Sequence, residues 1–363
     1  MSEHAVLAPS SADRWVNCAA SVRLEKAYPE TEEGEAAKLG AAWHWAAFML
    51  LSGNSLPDVA FNGVPIDEEM ARHAKEWAGY VETHFRGERH YEERIEIPVI
   101  HAQCWGTPDV VGIDRPNKTI RVGDGKYGHG LVEAFEFWQG LCYAAGLTDG
   151  EPDWRFEIVI YQPRGYHPQG TIRTWAFTAS ELNGYVRQLR AAAEAAMGNN
   201  PEAVPGPWCR YCKARRGCTA LRNSSLHAVD TASGVTPLDL SAGDTGMELS
   251  LLTRAYDLLR YRIEGLQAQA EAAVRSGKSV FGWGLESSTG REKWVKPIEE
   301  IRALGDLMGV TVLKGPELIT PAQARKAGLD ADTIKQYAAR GPGEAKLVPV
   351  STADARRAFG SPE

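Results

Sequence analysis

The chain has 363 residues, of which 44% are hydrophobic, and a formal net charge of -7 at pH 7. This length provides a real core in one large domain or two ordinary ones, and the acidic balance argues against a generally basic protein that coats nucleic acid. No segment has the run of about eighteen apolar residues that a membrane span needs, and the N-terminus lacks a secretory pattern, so we expect a cytoplasmic protein.

The first 200 residues carry the periodicities of a mixed α/β core. A capping-box-like start at Ser10 to Asp13 predicts a short helix that ends near Cys18. The alanine-rich run 34–51 predicts a helix packed into the interior. Hydrophobic spacing predicts the remaining helices at about 67–86, 133–146 and 178–197, and strands at about 91–99, 103–113, 118–125, 155–161 and 170–177. This order is typical of a mixed sheet flanked by helices.

Beyond residue 222 the composition changes. Residues 223–245 are rich in Ser, Thr, Gly and Asp and predict a linker, which divides the chain into domains 1–222 and 246–363. Apolar residues three and four apart predict an amphipathic helix over 247–276, which either packs on its own domain or forms an interface in a homo-oligomer. Residues 280–295 predict a β-hairpin, and the remainder is predicted to be helical and turn-rich, with a break at 341–343.

Three charged residues follow one another on two neighbouring strands. Asp109 lies on the first, Asp124 ends the second, and Lys126 comes two residues later. Residues i and i+2 of a strand face the same side, so Asp124 and Lys126 can share one site. Two carboxylates and a lysine suit a hard divalent cation and a phosphate. Taken alone, Asp124 and Lys126 are also explained by an exposed ion pair.

Two helices carry further candidates. His44 lies in the middle of the helix 34–51, where it is either a core histidine bonded to a backbone carbonyl or a metal ligand. Gln139 and Tyr143 are four residues apart and therefore share one face of the helix 133–146.

The cysteines form a cluster with one distant member. Cys209, Cys212 and Cys218 lie within ten residues, and Cys18 lies far ahead of them. In a reducing compartment such a cluster indicates a bound metal rather than disulfides, and by spacing alone a zinc site is the commoner arrangement. The remaining two, Cys104 and Cys142, are expected to be buried thiols.

These residues, in this order, resemble the motifs of the PD-(D/E)XK nucleases, specifically the RecB-like branch: His44, Asp109, Asp124-Gly125-Lys126, Gln139 and Tyr143. With the cysteines on both sides of the core, the chain is similar to iron-sulfur members of that branch, including CRISPR-associated exonucleases and AddB-type helicase–nuclease subunits. A phage-associated family of the branch, whose domain is usually labelled only as of unknown function, is similar in the segments 10–18, 161–164, 208–212 and 281–294. One departure is Gly125, where an aromatic or similar residue is usual.

The resemblance implies a restriction-endonuclease-like α/β core that hydrolyses phosphodiester bonds. Asp109, Asp124 and the carbonyl of Gly125 would hold Mg²⁺ or Mn²⁺, and His44 would add a nitrogen ligand that favours Mn²⁺. Lys126 would orient or deprotonate the attacking water.

The resemblance also assigns the other candidates. Gln139 and Tyr143 would contact nucleic acid or lock the lysine in place. Cysteines 18, 209, 212 and 218 would hold a structural [4Fe-4S] cluster, which we favour over Zn²⁺. Around them, the basic residues between 210 and 222 form either a phosphate-binding rim or a solvated loop, while Trp208 and Tyr211 either stack on bases or shield the cluster.

The function expected from this resemblance is a metal-dependent DNA exonuclease that acts in phage or mobile-element recombination or replication inside a bacterial host. Its substrate would be single-stranded or duplex DNA ends, with a strand-annealing protein as a partner. Two other hypotheses stay open. One is a DNA-binding or assembly factor with little hydrolytic activity, and the other is a zinc-stabilised structure-specific endonuclease.

Overall fold

The computed structural model describes residues 5–28, 34–148, 153–232, 240–314 and 317–349. The chain divides into two compact units, residues 1–262 and 263–363. The helices of the first unit, with the long helix that ends beyond it, are α1 (Ala12–Asn17), α2 (Ser21–Lys26), α3 (Glu35–Leu51), α4 (Glu68–His84), α5 (Trp138–Leu147), α6 (Ala179–Met197), α7 (Thr219–Ala232) and α8 (Ala242–Arg275). Its strands are β1 (Glu88–Tyr91), β2 (Ile95–Glu96), β3 (Trp105–Gly106), β4 (Val110–Asp114), β5 (Thr119–Gly125), β6 (Arg155–Tyr161) and β7 (Ile172–Thr178).

A five-stranded mixed sheet in the order β1-β4-β5-β6-β7 forms the centre of the first unit. β5 and β6 are parallel, whereas the other neighbouring strands are antiparallel. Parallel neighbours need a crossover connection, and α5 lies in the one between β5 and β6. The short strands β2 and β3 form a separate two-stranded antiparallel sheet. This architecture confirms the expected mixed α/β sheet with flanking helices.

Both faces of the sheet are covered by helices, which explains the continuous apolar runs in its central strands. On one face, Val122 of β5 packs in a cluster with Leu141 of α5. On the other face, Val159 of β6 packs in a cluster with Trp43 of α3 and Trp77 of α4. Because successive residues of a strand point to opposite faces, β6 contributes to both layers, with Ile158 in the first cluster and Val159 in the second.

Local capping and turn geometry determine where several elements begin and end. The predicted cap of α6 is confirmed, since Thr178 Oγ1 accepts the Glu181 N–H at 3.3 Å and the Glu181 carboxylate accepts the Thr178 N–H at 2.7 Å. α5 begins five residues later than the predicted helix over 133–146, because Glu136 has a φ of 53°, which a right-handed helix does not contain. The strand predicted over 91–99 is interrupted, because Glu92 turns the chain with a φ of 50°.

The second unit pairs its first strand with its last. Its elements are β8 (Trp283–Trp294), α9 (Ile298–Met308), β9 (Leu313–Lys314), β10 (Glu317–Leu318), α10 (Pro321–Lys326), α11 (Ala331–Tyr337) and β11 (Ala338–Pro349). The predicted hairpin over 280–295 is wrong, because this segment is one strand, antiparallel to β11. Turn-forming residues such as Gly290 suggested a local reversal, but the long-range partner keeps the strand extended. The break predicted at 341–343 is a register shift around Pro342 in β11.

Helices occupy both ends of the segment predicted as a linker. α7 continues to Ala232 and α8 begins at Ala242, while residues 233–239 lie outside the described residues. Among the helices of the described ranges, none combines the length and the apolar content that crossing a bilayer requires.

Candidate active site

The chemically interesting residues of the first unit come from four elements that meet near the end of β5. α3 carries His44, and the turn before β4 carries Asp109. Asp124 and Gly125 are the last two residues of β5. The following residue continues the ladder for one more step, since the Lys126 N–H donates to the Tyr161 carbonyl at 2.8 Å. The rigid sheet therefore fixes the backbone on which the acidic and basic side chains stand.

Asp109 forms the centre of the site. Its Oδ2 lies 3.2 Å from His44 Nδ1 and accepts the Gly125 N–H at 2.7 Å. Burial alone raises the pKa of Asp109, but His44 and the Gly125 N–H more than offset it, so this pKa lies below its ordinary value. Burial lowers the pKa of His44, but Asp109 and Asp124 together more than offset it, so this pKa lies above its ordinary value. The carboxylate is thus held ionised and oriented.

Lys126 is held between two partners. Its Nζ lies 2.7 Å from Asp124 Oδ2 and donates a hydrogen bond to Gln139 Oε1 at 3.2 Å. Burial raises the pKa of Asp124 despite this ion pair. Burial lowers the pKa of Lys126, but the charges of Asp124 and Asp109 more than offset it, so this pKa lies above its ordinary value. A divalent cation in the site would add a larger local charge and favour both carboxylates in their ionised form.

Gln139 and Tyr143 of α5 form a hydrogen-bonded pair next to this lysine. The Gln139 side chain is hydrogen-bonded to the Tyr143 hydroxyl as well as to Lys126. Tyr143 is buried, and burial raises the pKa of its phenol well above the usual range. A Cβ at Gly106 would lie 2.9 Å from the Tyr143 hydroxyl oxygen, so that glycine leaves the space that the phenol fills. Of the two expected roles, the geometry of Gln139 fits that of positioning Lys126.

Trp43 explains why a glycine stands at position 125. A Cβ on Gly125 would lie 2.2 Å from Trp43 Cζ3 and 2.4 Å from Cη2. Trp43 is completely buried and stacks on Tyr127 with a centroid separation of 5.4 Å. The space beside the end of β5 is therefore filled by the α3 residue next to His44.

Glu92 is a functional candidate that the sequence did not reveal. Among the described residues, three side chains of metal-ligating type have their ligand atoms within 4.8 Å of one another. They are His44, Glu92 and Asp109. Asp124 is not part of that set. Although Glu92 as a residue is exposed, partial burial of its carboxyl group and the charge of Asp109 raise its pKa to about 7.

The signal that could have found Glu92 is strand pairing. Tyr91 pairs with Val110 in the antiparallel β1–β4 ladder, so the next residue along β1 comes opposite Asp109. The sequence did not predict this pairing, because the expected strand began at residue 91, whereas β1 ends at that residue.

An open cleft of about 430 Å³ lies in front of the three residues. Its lining combines their side chains with an apolar wall from α3 and the following loop: Ala41, Trp45, Phe48 and Phe61. Phe61 is 67% exposed, so an aromatic face is available beside the acidic centre. Such a cleft fits a ligand that has a charged group, to interact at the acidic centre, and a flat apolar group, to pack on the aromatic wall.

The four cysteines expected to bind a metal line one cavity beside α1 and the 3₁₀ turns at Pro207–Tyr211 and Lys213–Arg216. Each of these sulfurs has a backbone N–H nearby, with Gly206 donating to Cys209 Sγ and Leu221 donating to Cys218 Sγ, both at 3.5 Å. Burial, reinforced by the negative charge of Glu25, raises the pKa of Cys212 to about 12. Backbone donors aimed at sulfur are the environment that thiolates in metal clusters require.

The spacing of the sulfurs bears on the kind of metal. In the described part of the chain, no three cysteine sulfurs lie within 4.8 Å of one another. A single tetrahedral Zn²⁺ with bonds of about 2.3 Å brings its sulfurs to about 3.8 Å. A four-iron cluster is larger and holds its thiolates further apart. The described sulfurs are therefore not gathered as closely as around one bound zinc ion, and the cavity that they line is small, about 20 Å³. The other pair, Cys104 and Cys142, is buried as expected.

Side chains around the cysteines divide into shielding and exposed groups. Trp208 packs against the cysteine cavity and donates its indole N–H to the Val204 carbonyl at 2.7 Å. Tyr211 is 67% exposed, with the Arg210 guanidinium 5.1 Å from its ring centroid. Arg215 donates to the Arg210 carbonyl, so part of its guanidinium serves the fold.

Comparison with protein-family models gives one finding for nearly the whole chain. A family model covers residues 4–356, which include the sheet, the acidic centre and the cysteine cavity. The chain belongs to the family described as "Protein of unknown function (DUF2800)".

Proposed function

We propose that the protein is a metal-dependent DNA nuclease on a restriction-endonuclease-like core of the RecB-like kind. The observation that carries the proposal is the arrangement at the end of β5, where Asp109 contacts His44 and Lys126 lies between Asp124 and Gln139. Five residues chosen for their motif order thus meet in one place, although they span about a hundred positions of the chain.

Each of these groups matches a requirement of phosphodiester hydrolysis. A divalent ion bound by the carboxylates would supply Lewis-acid stabilisation of the phosphoryl oxygens and the leaving group. Lys126, fixed at two points, is placed to orient a water and to stabilise negative charge on the phosphate. His44 would favour Mn²⁺ beside Mg²⁺ because imidazole suits transition ions.

The cysteine cavity supports the second part of the proposal, a structural [4Fe-4S] cluster held by cysteines 18, 209, 212 and 218. The donors come from the segment before the sheet and from the segment after α6, so a cluster would close a loop of nearly two hundred residues. Anaerobically purified protein should be brown, with broad absorbance near 400 nm in the range typical of such clusters. Colourless protein with one zinc per chain would refute the iron assignment.

The substrate proposed is the end of a DNA strand, single-stranded or duplex, in phage recombination or replication. The test incubates the protein with end-labelled linear DNA and with closed circular DNA, in Mn²⁺, in Mg²⁺ and in EDTA. Loss of linear DNA only, and only with metal, is the expected result. Cutting of closed circles would indicate an endonuclease instead. Retained DNA binding without any cleavage would indicate a binding or assembly factor.

A matched pair of variants separates the site from general effects on charge. Asp124→Asn should abolish cleavage. Asp153→Asn removes the same charge from an exposed aspartate that pairs with Lys118 at 2.6 Å, and it should leave cleavage unchanged.

A further inference from the structure

Glu92 stands at a position that none of the motifs above includes. It follows β1 directly, and its N–H donates to the Asp109 carbonyl at 3.3 Å. This contact joins the turn after β1 to the segment that carries Asp109. The glutamate is therefore tied by its backbone to the residue at the centre of the acidic site.

The charge balance around the site is uneven. Asp124 is paired with the Lys126 ammonium group at 2.7 Å. Glu92, in contrast, has no salt bridge with any lysine or arginine of the described ranges, and its carboxylate faces His44 and Asp109 across the open cleft. Like charges that converge without a cation repel each other, so this convergence is stabilised either by protonation of Glu92 or by a counter-charge. The imidazole provides part of it, and a metal ion would provide the rest.

The chemistry of the donors fits a divalent transition ion. One nitrogen and two carboxylate oxygens come from three different elements, namely α3, the turn after β1 and the turn before β4. Their ligand atoms lie within 4.8 Å of one another, close enough for one ion to contact all three after small side-chain rotations. The cleft leaves the remaining positions of such an ion open to water and to a phosphate.

We propose that Glu92 is a ligand of the catalytic divalent ion, together with His44 and Asp109. The inference rests on the proposed function, because it extends the metal site of that function by one residue. It places the ion where these three side chains meet at the open cleft. Glu92 would thereby add a carboxylate oxygen to the ligands of the ion.

Glu93 offers a matched control in the adjacent position. Its carboxylate contacts His90 Nδ1 at 2.9 Å, and it is not part of the three-residue set. Glu92→Gln and Glu93→Gln remove the same charge from neighbouring residues of one turn. Glu93→Gln therefore controls for the loss of one carboxylate from this turn, and the separation of ligation from charge rests on Glu92→Asp, described below.

The experiment titrates Mn²⁺ into the full-length protein and measures the free ion by electron paramagnetic resonance. Glu92→Gln should raise the dissociation constant of Mn²⁺ about tenfold or more, while Glu93→Gln changes it less than about twofold. Equal affinities for wild type and Glu92→Gln, or equal losses in both variants, would overturn the proposal. Unfolding temperatures in EDTA serve as the control for folding.

A third variant guards against a folding defect. Glu92→Asp keeps the charge but withdraws the carboxylate by one methylene, so we expect it to bind Mn²⁺ more weakly than wild type. Wild-type affinity in Glu92→Asp would reduce Glu92 to a source of negative charge. This experiment can fail independently of the proposed function. If wild type cleaves DNA but Glu92→Gln binds Mn²⁺ as tightly as wild type, Glu92 is not a ligand and the nuclease proposal stands. If Glu92→Gln binds Mn²⁺ more weakly but wild type does not cleave DNA, Glu92 is a metal ligand and the nuclease proposal is refuted.

Discussion

Gly125→Ala tests the packing that holds the acidic centre in place. The added methyl carbon would lie 2.2 Å and 2.4 Å from two ring carbons of Trp43. Trp43 is fully buried and its ring is stacked against Tyr127 and Tyr161, so it has little room to move. Overpacking of a tight core costs about 1–3 kcal/mol. Because Trp43 precedes His44 on α3, the displacement should also move the histidine.

The measurement is thermal unfolding. At about 2–4 °C per kcal/mol for a domain of this size, Gly125→Ala should lower the unfolding temperature by about 2–12 °C. Gly40→Ala is the matched control on α3, since nothing lies within 4 Å of its added carbon. Relief of a helix-interior glycine should stabilise that variant by about 0.5–1 kcal/mol.

A double variant identifies the cause. The two clashing carbons belong to the six-membered ring of the Trp43 indole. Trp43→Phe, a smaller residue, should therefore tolerate alanine at position 125 better than wild type does, which appears as a positive coupling in a double-mutant cycle. A Gly125→Ala protein as stable as wild type, or additive effects of the two substitutions, would refute the packing argument.

Three further predictions concern other parts of the first unit. Gln139→Leu removes the hydrogen-bond acceptor that holds Lys126. The turnover rate should therefore fall about 10-fold to 100-fold, while the dissociation constant for DNA stays within about twofold. An equal loss of DNA binding would contradict a positioning role. Hydrogen bonds from Thr178 lower the pKa of Glu181. Wild type should therefore be more stable than Glu181→Gln above about pH 4.5, the ordinary pKa of a glutamate, and this advantage should vanish as the pH falls through the lowered pKa. A difference in unfolding free energy that does not depend on pH would exclude the charged cap. Cys209→Ser should abolish the visible absorbance of the cluster, whereas Cys104→Ser, buried outside the cysteine cavity, should keep it; the reverse would refute the ligand assignment.

Regular, local signals predicted much of the fold. The apolar run of β6 and the capping segment at Thr178 identify their elements, because burial on both faces and the first turn of a helix leave marks in neighbouring residues. The helix that carries His44 was found in the same way, from an alanine-rich apolar run.

The errors share a different cause. β8 was taken for a hairpin because its partner, β11, is more than forty residues away, and local turn residues carry no information about that pairing. The late start of α5 depends on one backbone angle at Glu136. Both features follow from tertiary context that overrides local propensity.

The candidate site shows the same division. Residues in a known motif order could be selected from sequence, and the structure brings His44 to Asp109 and Lys126 to Asp124. Glu92 could not be selected, since only the β1–β4 register places it opposite Asp109. Trp43 likewise explains Gly125 only once α3 is packed on the sheet.

The most direct test of the central claim is the single-turnover rate of cleavage of end-labelled linear DNA in Mn²⁺, compared between wild type and two lysine variants. Lys126→Ala removes the ammonium group held by Asp124 and Gln139, and Lys118→Ala removes one from an exposed pair with Asp153. We predict a loss of about 100-fold or more for Lys126→Ala and none for Lys118→Ala. Equal rates in all three proteins, or no cleavage by wild type, would contradict the claim that this site is a nuclease centre.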